Sequence, residues 1–282
     1  MRRTLNAVGS DVEFQDAVNG SEDSASIVFI DQATRRALSP DSIDKLTKLV
    51  VLGDSLEDEE VVELLRRRGV SHVISDADDP DDTELVVTSV KLLSGDLFGL
   101  EKYLSWGVKV IDKSISTYED KREALAAVTA QAREAGARRP LIARIESVVD
   151  ELLMNAMYDA PAAARGDKHG DRLEPQGEAK ALLRWASDGR YFAVSVQDDF
   201  GELHKETILD HLVRARAERG RPRSSDEVGG AGLGLYFILS SVTRFIANIE
   251  PGKKTEVVCL FDLKQTGRDA DLCARSLHVF GR

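Results

Sequence analysis

A chain of 282 residues is long enough for two domains, each able to bury its own core without disulfide or metal staples. Its formal net charge of -11 argues against a surface that grips nucleic acid or an anionic membrane, because neutralising phosphates takes clustered Lys and Arg. Only Cys259 and Cys273 are present, without metal-like spacing, which is the cysteine usage of a cytosolic protein.

The N-terminus, Met1-Arg2-Arg3-Thr4, leads into no apolar segment of signal-peptide length, and no uncharged apolar run is long enough to span a bilayer, so a soluble, cytoplasmic chain is expected. Apolar runs at 27–30, ending in Asp31, at 49–52, ending in Gly53-Asp54, and at 70–74 each read as fully buried strands, and the spacing over 59–68 predicts a helix between the last two. This order gives a small parallel α/β layer. It resembles a response-regulator receiver domain in which Asp31 stands where the phosphoacceptor ends the third strand. No strand with an acidic pair precedes Asp31 and no Lys follows the strand ending at Ser75, so the resemblance implies a degenerate receiver without the usual Mg²⁺ and phosphoryl-reading groups.

Residues 76–82 form an acidic, Pro-containing loop, 85–93 resume a helical pattern, and 118–135 are rich in Ala, Glu, Arg and Lys, as an exposed helix is. Gly136 to Pro140 interrupt that helix, which places a receiver-like domain at 1–115, a linker helix at 116–138 and a second domain at 139–282. In the next predicted helix, 140–159, Ile142, Ile145, Val149, Leu152 and Ala156 recur at steps of three and four and make one buried stripe. Glu151 and Asn155 lie one turn apart, roughly 100° around from it, on a flank that can face a ligand. Pro161 closes the pattern.

After a polar loop at 165–177, strands are expected at 181–186 and 191–197, joined by a tight turn through Asp188-Gly189. The second strand delivers Asp198, followed by Asp199, Phe200, Gly201 and Glu202. A helix at 207–217, an Arg-rich loop at 219–225 that would overhang a ligand, the run Gly230-Ala231-Gly232-Leu233-Gly234-Leu235 and a helix at 233–243 come next. Strands at 244–250 and 255–263 then pair across Pro251-Gly252. Glycines at 230, 232 and 234 let the backbone approach phosphates, and the helix that follows adds N-terminal N–H groups and a favourable dipole. A carboxylate at a strand end can accept the amino group of adenine.

From about residue 142 to 263 the chain resembles the ATP-binding domain of the GHKL superfamily, which holds gyrase B, MutL, sensor histidine kinases and anti-sigma-factor serine kinases. The motifs that carry the resemblance are Glu-x-x-x-Asn-Ala at 151–156 and Gly-x-Gly-Leu-Gly-Leu at 230–235, with Val194 to Gly201 as a degenerate first glycine box and Gly252 to Thr255 as a late Gly-x-x-Thr. The resemblance implies an α/β sandwich on a mixed or antiparallel sheet, with ATP and Mg²⁺ as cofactors. Asn155 would be the metal ligand and Glu151 the group that orients or deprotonates the nucleophile. Asp198 by strand register, or Asp199 by matching on Gly201, would read adenine, while Gly230, Gly232, Leu233, Gly234, Leu235 and Thr255 would surround the phosphates.

The expected function is a cytoplasmic signalling protein whose Mg-ATP site phosphorylates or switches a separate protein partner, best matched by a serine kinase of the anti-sigma type; a homodimer is compatible with this. A nucleotide-binding or nucleotide-free scaffold is the alternative, and a histidine-kinase core acting on another chain the third. The segment between His72 and Glu151 contains no histidine, so the chain lacks an upstream phosphoacceptor of the ordinary sensor-kinase kind.

Overall fold

Two unbroken apolar runs, and a third stretch interrupted by Ser71 and His72, form a parallel three-stranded layer in the computed structural model: β1 (Val28–Ile30), β2 (Leu49–Gly53) and β3 (Val70–Ser75). The structure describes residues 27–46, 48–53, 56, 59–67, 69–75, 82–166, 180–218, 233–264 and 276–281. Helices α1 (Gln32–Ala37), α2 (Pro40–Asp44) and α3 (Glu59–Leu65) connect these strands, and α4 (Asp82–Ser94) follows. A 3₁₀ turn at Leu100–Tyr103 leads to β4 (Ile111–Ile115) and then to α5 (Tyr118–Glu134). A capping box starts α5: Thr117 accepts from the Asp120 N–H at 3.1 Å while the Asp120 carboxylate accepts from the Thr117 N–H at 2.9 Å.

Helix α6 (Arg139–Met154) passes through a turn widened by one residue, Asn155–Asp159, into α7 (Ala160–Ala164). The helix therefore runs past Pro161 instead of ending there, because the wide turn restarts the hydrogen-bond ladder and Pro161 falls in a first turn, where its missing N–H costs nothing. Strands β5 (Ala181–Ser187) and β6 (Tyr191–Asp198), helices α8 (Lys205–Glu218) and α9 (Leu233–Ser241), and strands β7 (Arg244–Glu250), β8 (Lys254–Asp262) and β9 (Ser276–Gly281) complete the chain.

The nine strands of the described residues belong to one mixed sheet in the order β1-β2-β3-β9-β7-β8-β6-β5-β4, an α/β fold. The join between the N-terminal parallel layer and the rest is the short antiparallel pairing of β3 with β9, His72 opposite His278 and Val73 opposite Leu277. β9 runs parallel to β7, and β7-β8-β6-β5-β4 form an antiparallel meander with one crossover. Side chains alternate between two faces. Phe192, Val194, Val196, Phe245, Ala247, Val257, Cys259 and Phe261 face one large core shared with α3, α5, α6, α8 and α9. Tyr191, Ala193, Ile246, Val258, Leu260 and Phe280 face the other way, toward the 3₁₀ turn and the partly buried Val87 and Leu92 of α4.

That second face carries a buried polar network. Lys91 of α4 is 1% exposed; its ammonium donates to the Asn248 side-chain oxygen at 2.5 Å and to the Tyr103 hydroxyl, and lies 3.9 Å from the centre of the Phe280 ring. Asn248 in turn donates to Glu256 at 2.9 Å, and the same carboxylate accepts from the Gly99 N–H at 2.9 Å. Glu84 pairs with Arg244 at 3.0 Å and His278 at 2.9 Å. Buried ionisable and polar side chains are tolerated where each has such hydrogen-bonding partners. Two strands not expected from the sequence, β4 and β9, and the short helices α1 and α2 complete the description. No helix among the described residues is long and apolar enough to cross a membrane.

Candidate functional site

The stripe of α6 is buried as its spacing requires: Ile142, Ile145, Val148, Val149, Leu152 and Leu153 pack into the large core, and Ala156 and Met157 continue it. Glu151 and Asn155 are half-buried on the flank of this stripe. The Asn155 N–H still donates to the Glu151 carbonyl, so the two residues keep the one-turn relation, and the widened turn begins directly after it, where the Asn155 carbonyl accepts from the Ala160 N–H. That widened turn and α6 both pack against β6.

Helix α9 lies against α6 and brings the last glycine of the run onto Glu151. A Cβ at position 234 would stand 1.6 Å from Glu151 Oε1 and 2.2 Å from its Cδ, so the carboxylate occupies the space that any larger residue there would need. Leu235 is buried in the shared core and Leu233 opens the helix. Gly230, Gly232 and the Arg-rich loop at 219–225 lie outside the described residues.

Asp198 ends β6 directly opposite Thr255 of β8, on the helix-bearing face of the sheet. It is 7% exposed, and its Oδ1 accepts from the N–H groups of Phe200 at 2.9 Å and Gly201 at 3.3 Å. Burial pushes its carboxyl above the usual range, against the pull of those two bonds. Thr255 is 3% exposed, and its hydroxyl oxygen has no hydrogen-bond partner among the described residues. A buried carboxylate beside an orphaned buried hydroxyl is a pair that an amino-bearing planar ligand or a water can satisfy. Asp199, the other candidate, is exposed.

Gly201 has a different task. Its φ is +71°, and an added Cβ would stand 2.3 Å from the Glu250 carbonyl oxygen and 2.6 Å from the Lys253 nitrogen, so it seats the loop after Asp198 against the β7–β8 turn, whose Gly252 N–H donates to the Gly201 carbonyl at 3.3 Å. Asp31 is exposed at the end of β1, where it caps α1 by accepting from the Thr34 N–H at 2.7 Å; that bond holds its carboxyl below the ordinary value.

Beyond Glu151 an open groove of about 460 Å³ runs between α5, α6 and α9, lined by Leu125, Glu146, Ser147, Asp150, Glu151 and Phe237. Lys121 of α5 meets Asp150 at 2.7 Å across it. The spacing of four residues that stacks Ser147 under Glu151 and Glu146 under Asp150 was legible in the sequence; what was not is that α5 and α9 leave that flank open. Among the described residues no group of three or more His, Cys, Asp or Glu side chains can hold a metal. A Mg²⁺ ion does not need one when phosphates and waters fill its shell and a single amide oxygen such as that of Asn155 completes it.

Neither a protein-family model nor a curated protein matches the chain. Among solved structures it is similar to a chain in the crystal structure of the SiaB-SiaC complex from Pseudomonas aeruginosa, at 18% identity over 54% of this chain and 88% of that chain, with a TM-score of 0.36.

Proposed function

We propose that the protein binds Mg-ATP in the space bounded by Asp198, Thr255, the Glu151–Asn155 flank and the start of α9, and uses it to phosphorylate or switch a separate protein partner. The observation that carries this reading is the meeting of Gly234 with the Glu151 carboxylate, because two motifs about eighty residues apart in the chain then share one site, as the GHKL resemblance requires. Asp198 with the orphaned Thr255 hydroxyl supports an adenine end, which moves Thr255 from the phosphate end that the resemblance implied, and the N-terminus of α9 supports a phosphate end.

Asn155 would hold a Mg²⁺ ion through its side-chain oxygen, and the ion would supply neutralisation of phosphate charge. The chain's own contribution is positional. Asp198 fixes the base through its rigid strand end, α9 presents backbone donors, and Glu151 takes the proton of a nucleophile arriving from the groove side, with Gly234 keeping room for its carboxylate. The groove gives a partner's hydroxyl a route to Glu151, which favours a serine kinase over a nucleotide-free scaffold.

Calorimetric titration with ATP, with and without Mg²⁺, tests the reading. Asn155→Ala should fold normally and weaken Mg-ATP binding roughly tenfold to a hundredfold, the cost of about 1.5 to 3 kcal/mol for losing a bond to a charged group. No binding by the unaltered chain, or undiminished Mg-ATP affinity in the variant, would overturn it.

A further inference from the structure

Helix α8 is the first element after the Asp198–Gly201 loop, and it packs along α9, whose Gly234 lies on Glu151. Its first turn is held from outside the antiparallel part of the sheet. The Lys205 ammonium reaches into the N-terminal layer and donates to the Arg67 carbonyl at 2.8 Å and the Val70 carbonyl at 2.5 Å. These are carbonyls just past the end of α3 and at the start of β3, where a cation is favoured by the dipole of the helix; the Arg67 carbonyl also accepts from the Val70 N–H at 3.2 Å. A little further along, Asp210 of α8 pairs with Arg66 at 3.2 Å.

The anchor cannot easily give. Between the two acceptors lies Gly69, where a Cβ would stand 2.0 Å from the Leu46 carbonyl oxygen, so this connection is wedged backbone against backbone. Behind it Leu46, Leu65 and Val70 are buried in the core that the N-terminal layer shares with Ile208, Leu209 and Leu212 of α8. A displacement of this segment is therefore passed to α8, and from α8 to the two sides of the candidate site at once.

We propose that Lys205 and the Arg66–Asp210 pair are positioning contacts through which the N-terminal layer sets nucleotide affinity, holding α8 where Asp198 and Glu151 are both in place. The proposal rests on the nucleotide reading of that site. It makes the N-terminal layer a regulatory input: whatever shifts the connection between α3 and β3 changes ATP binding, and by linkage ATP shifts the conformational equilibrium of that connection by the same factor.

Two variants of the full chain test it, with ATP and Mg²⁺ in a calorimeter and amide hydrogen exchange of residues 66–70 followed with and without nucleotide. Lys205→Met keeps most of the apolar stem and loses both bonds; ATP should bind about 5- to 150-fold more weakly, the usual range of such coupling. Asp210→Lys sets two cations against each other in an exposed pair and leaves the core alone, so it carries the test if the first variant does not fold; its affinity should fall in the same direction, by less than tenfold. In the unaltered chain ATP should slow exchange at 66–70, a response that loss of packing alone would not produce, and in Lys205→Met that slowing should shrink. Equal ATP affinity in the unaltered chain and both folded variants, or exchange at 66–70 indifferent to ATP, overturns the coupling and leaves the nucleotide site standing. No ATP binding by the unaltered chain removes the nucleotide reading itself, and the coupling with it.

Discussion

Gly234→Ala separates stability from chemistry. An added Cβ would stand 1.6 Å from Glu151 Oε1, 2.2 Å from Cδ and 2.7 Å from Cγ. Non-bonded heavy atoms settle about 3.5 Å apart, so the carboxylate must retreat by about 2 Å. It is the far end of a flexible side chain, and the retreat costs at most about 1.5 kcal/mol in a poorer rotamer. Ala in a helix gains up to about 1 kcal/mol over Gly, so the unfolding free energy should rise by no more than about 1 kcal/mol or fall by no more than about 1.5 kcal/mol. Chemistry should not be spared. A misplacement of 1 Å can cost about 10² in rate, and loss of a general base about 10² to 10⁴, so single-turnover phosphate transfer or release should fall at least a hundredfold. Glu151→Gln should match that loss, and adding Gly234→Ala to it should cost little more, because the displaced group is already inactive. Urea unfolding beside rapid-quench kinetics reads both quantities. Unchanged turnover in Gly234→Ala, or rate losses that multiply in the double variant, would refute the assignment of Glu151 as the base.

Three other perturbations have signs fixed by the geometry. Asp198→Asn should abolish preference for ATP over GTP in competition binding, while Asp199→Asn, at an exposed position, should leave it; the reverse ranking would move the adenine contact one residue along. Gly201→Ala should lower the unfolding free energy by more than about 1 kcal/mol, since a positive φ and a contact with the Glu250 carbonyl both oppose it, and a melting temperature equal to the unaltered chain's would contradict that. Burial pulls the Lys91 ammonium from its usual 10.5 to about 7, with Tyr103, Glu256, Lys102 and Asp96 as the charged or titrating groups around it. The unfolded chain then holds a proton that the folded one has released, so stability should rise with pH between about 7 and 10.5, by at most about 1.4 kcal/mol per unit. Lys91→Met should flatten that slope in urea titrations at pH 7, 8 and 9; an unaltered slope would assign it to other groups.

What the sequence disclosed depended on how local the determinant was. The first two N-terminal strands announced themselves as unbroken apolar runs and the third as a mainly apolar one around Ser71-His72, the β5–β6 hairpin by Asp188-Gly189, and α6 by its stripe, because each pattern is complete within a dozen residues or so. β4 and β9 gave no such signal. β4 is a short edge strand, Ile-Asp-Lys-Ser-Ile, whose outward residues read as a polar loop, and β9 is a strand because β7 and β3 flank it, the second of them some two hundred residues away. The burial of Lys91 has no local signal, since its acceptor Asn248 lies 157 residues further on. At the candidate site the motif residues were readable one by one. Their meeting was not, because the contact of Gly234 with Glu151 depends on how α9 packs on α6, which neither segment encodes alone.

The widened turn after Asn155 ties one distant proline to the shape of the site. Were residues 155–161 wound at ordinary pitch, the Pro161 ring would press on the carbonyl four residues before it, and everything beyond Asn155 would swing round by about 100° per residue removed. Pro161 thus acts as a wedge that keeps the spare residue in the helix. The segment is sensitive to length as well as to composition: besides the buried Ala156 and Met157, its residue count matters, because deletion of a single residue would re-index the helix and turn a different face toward β6.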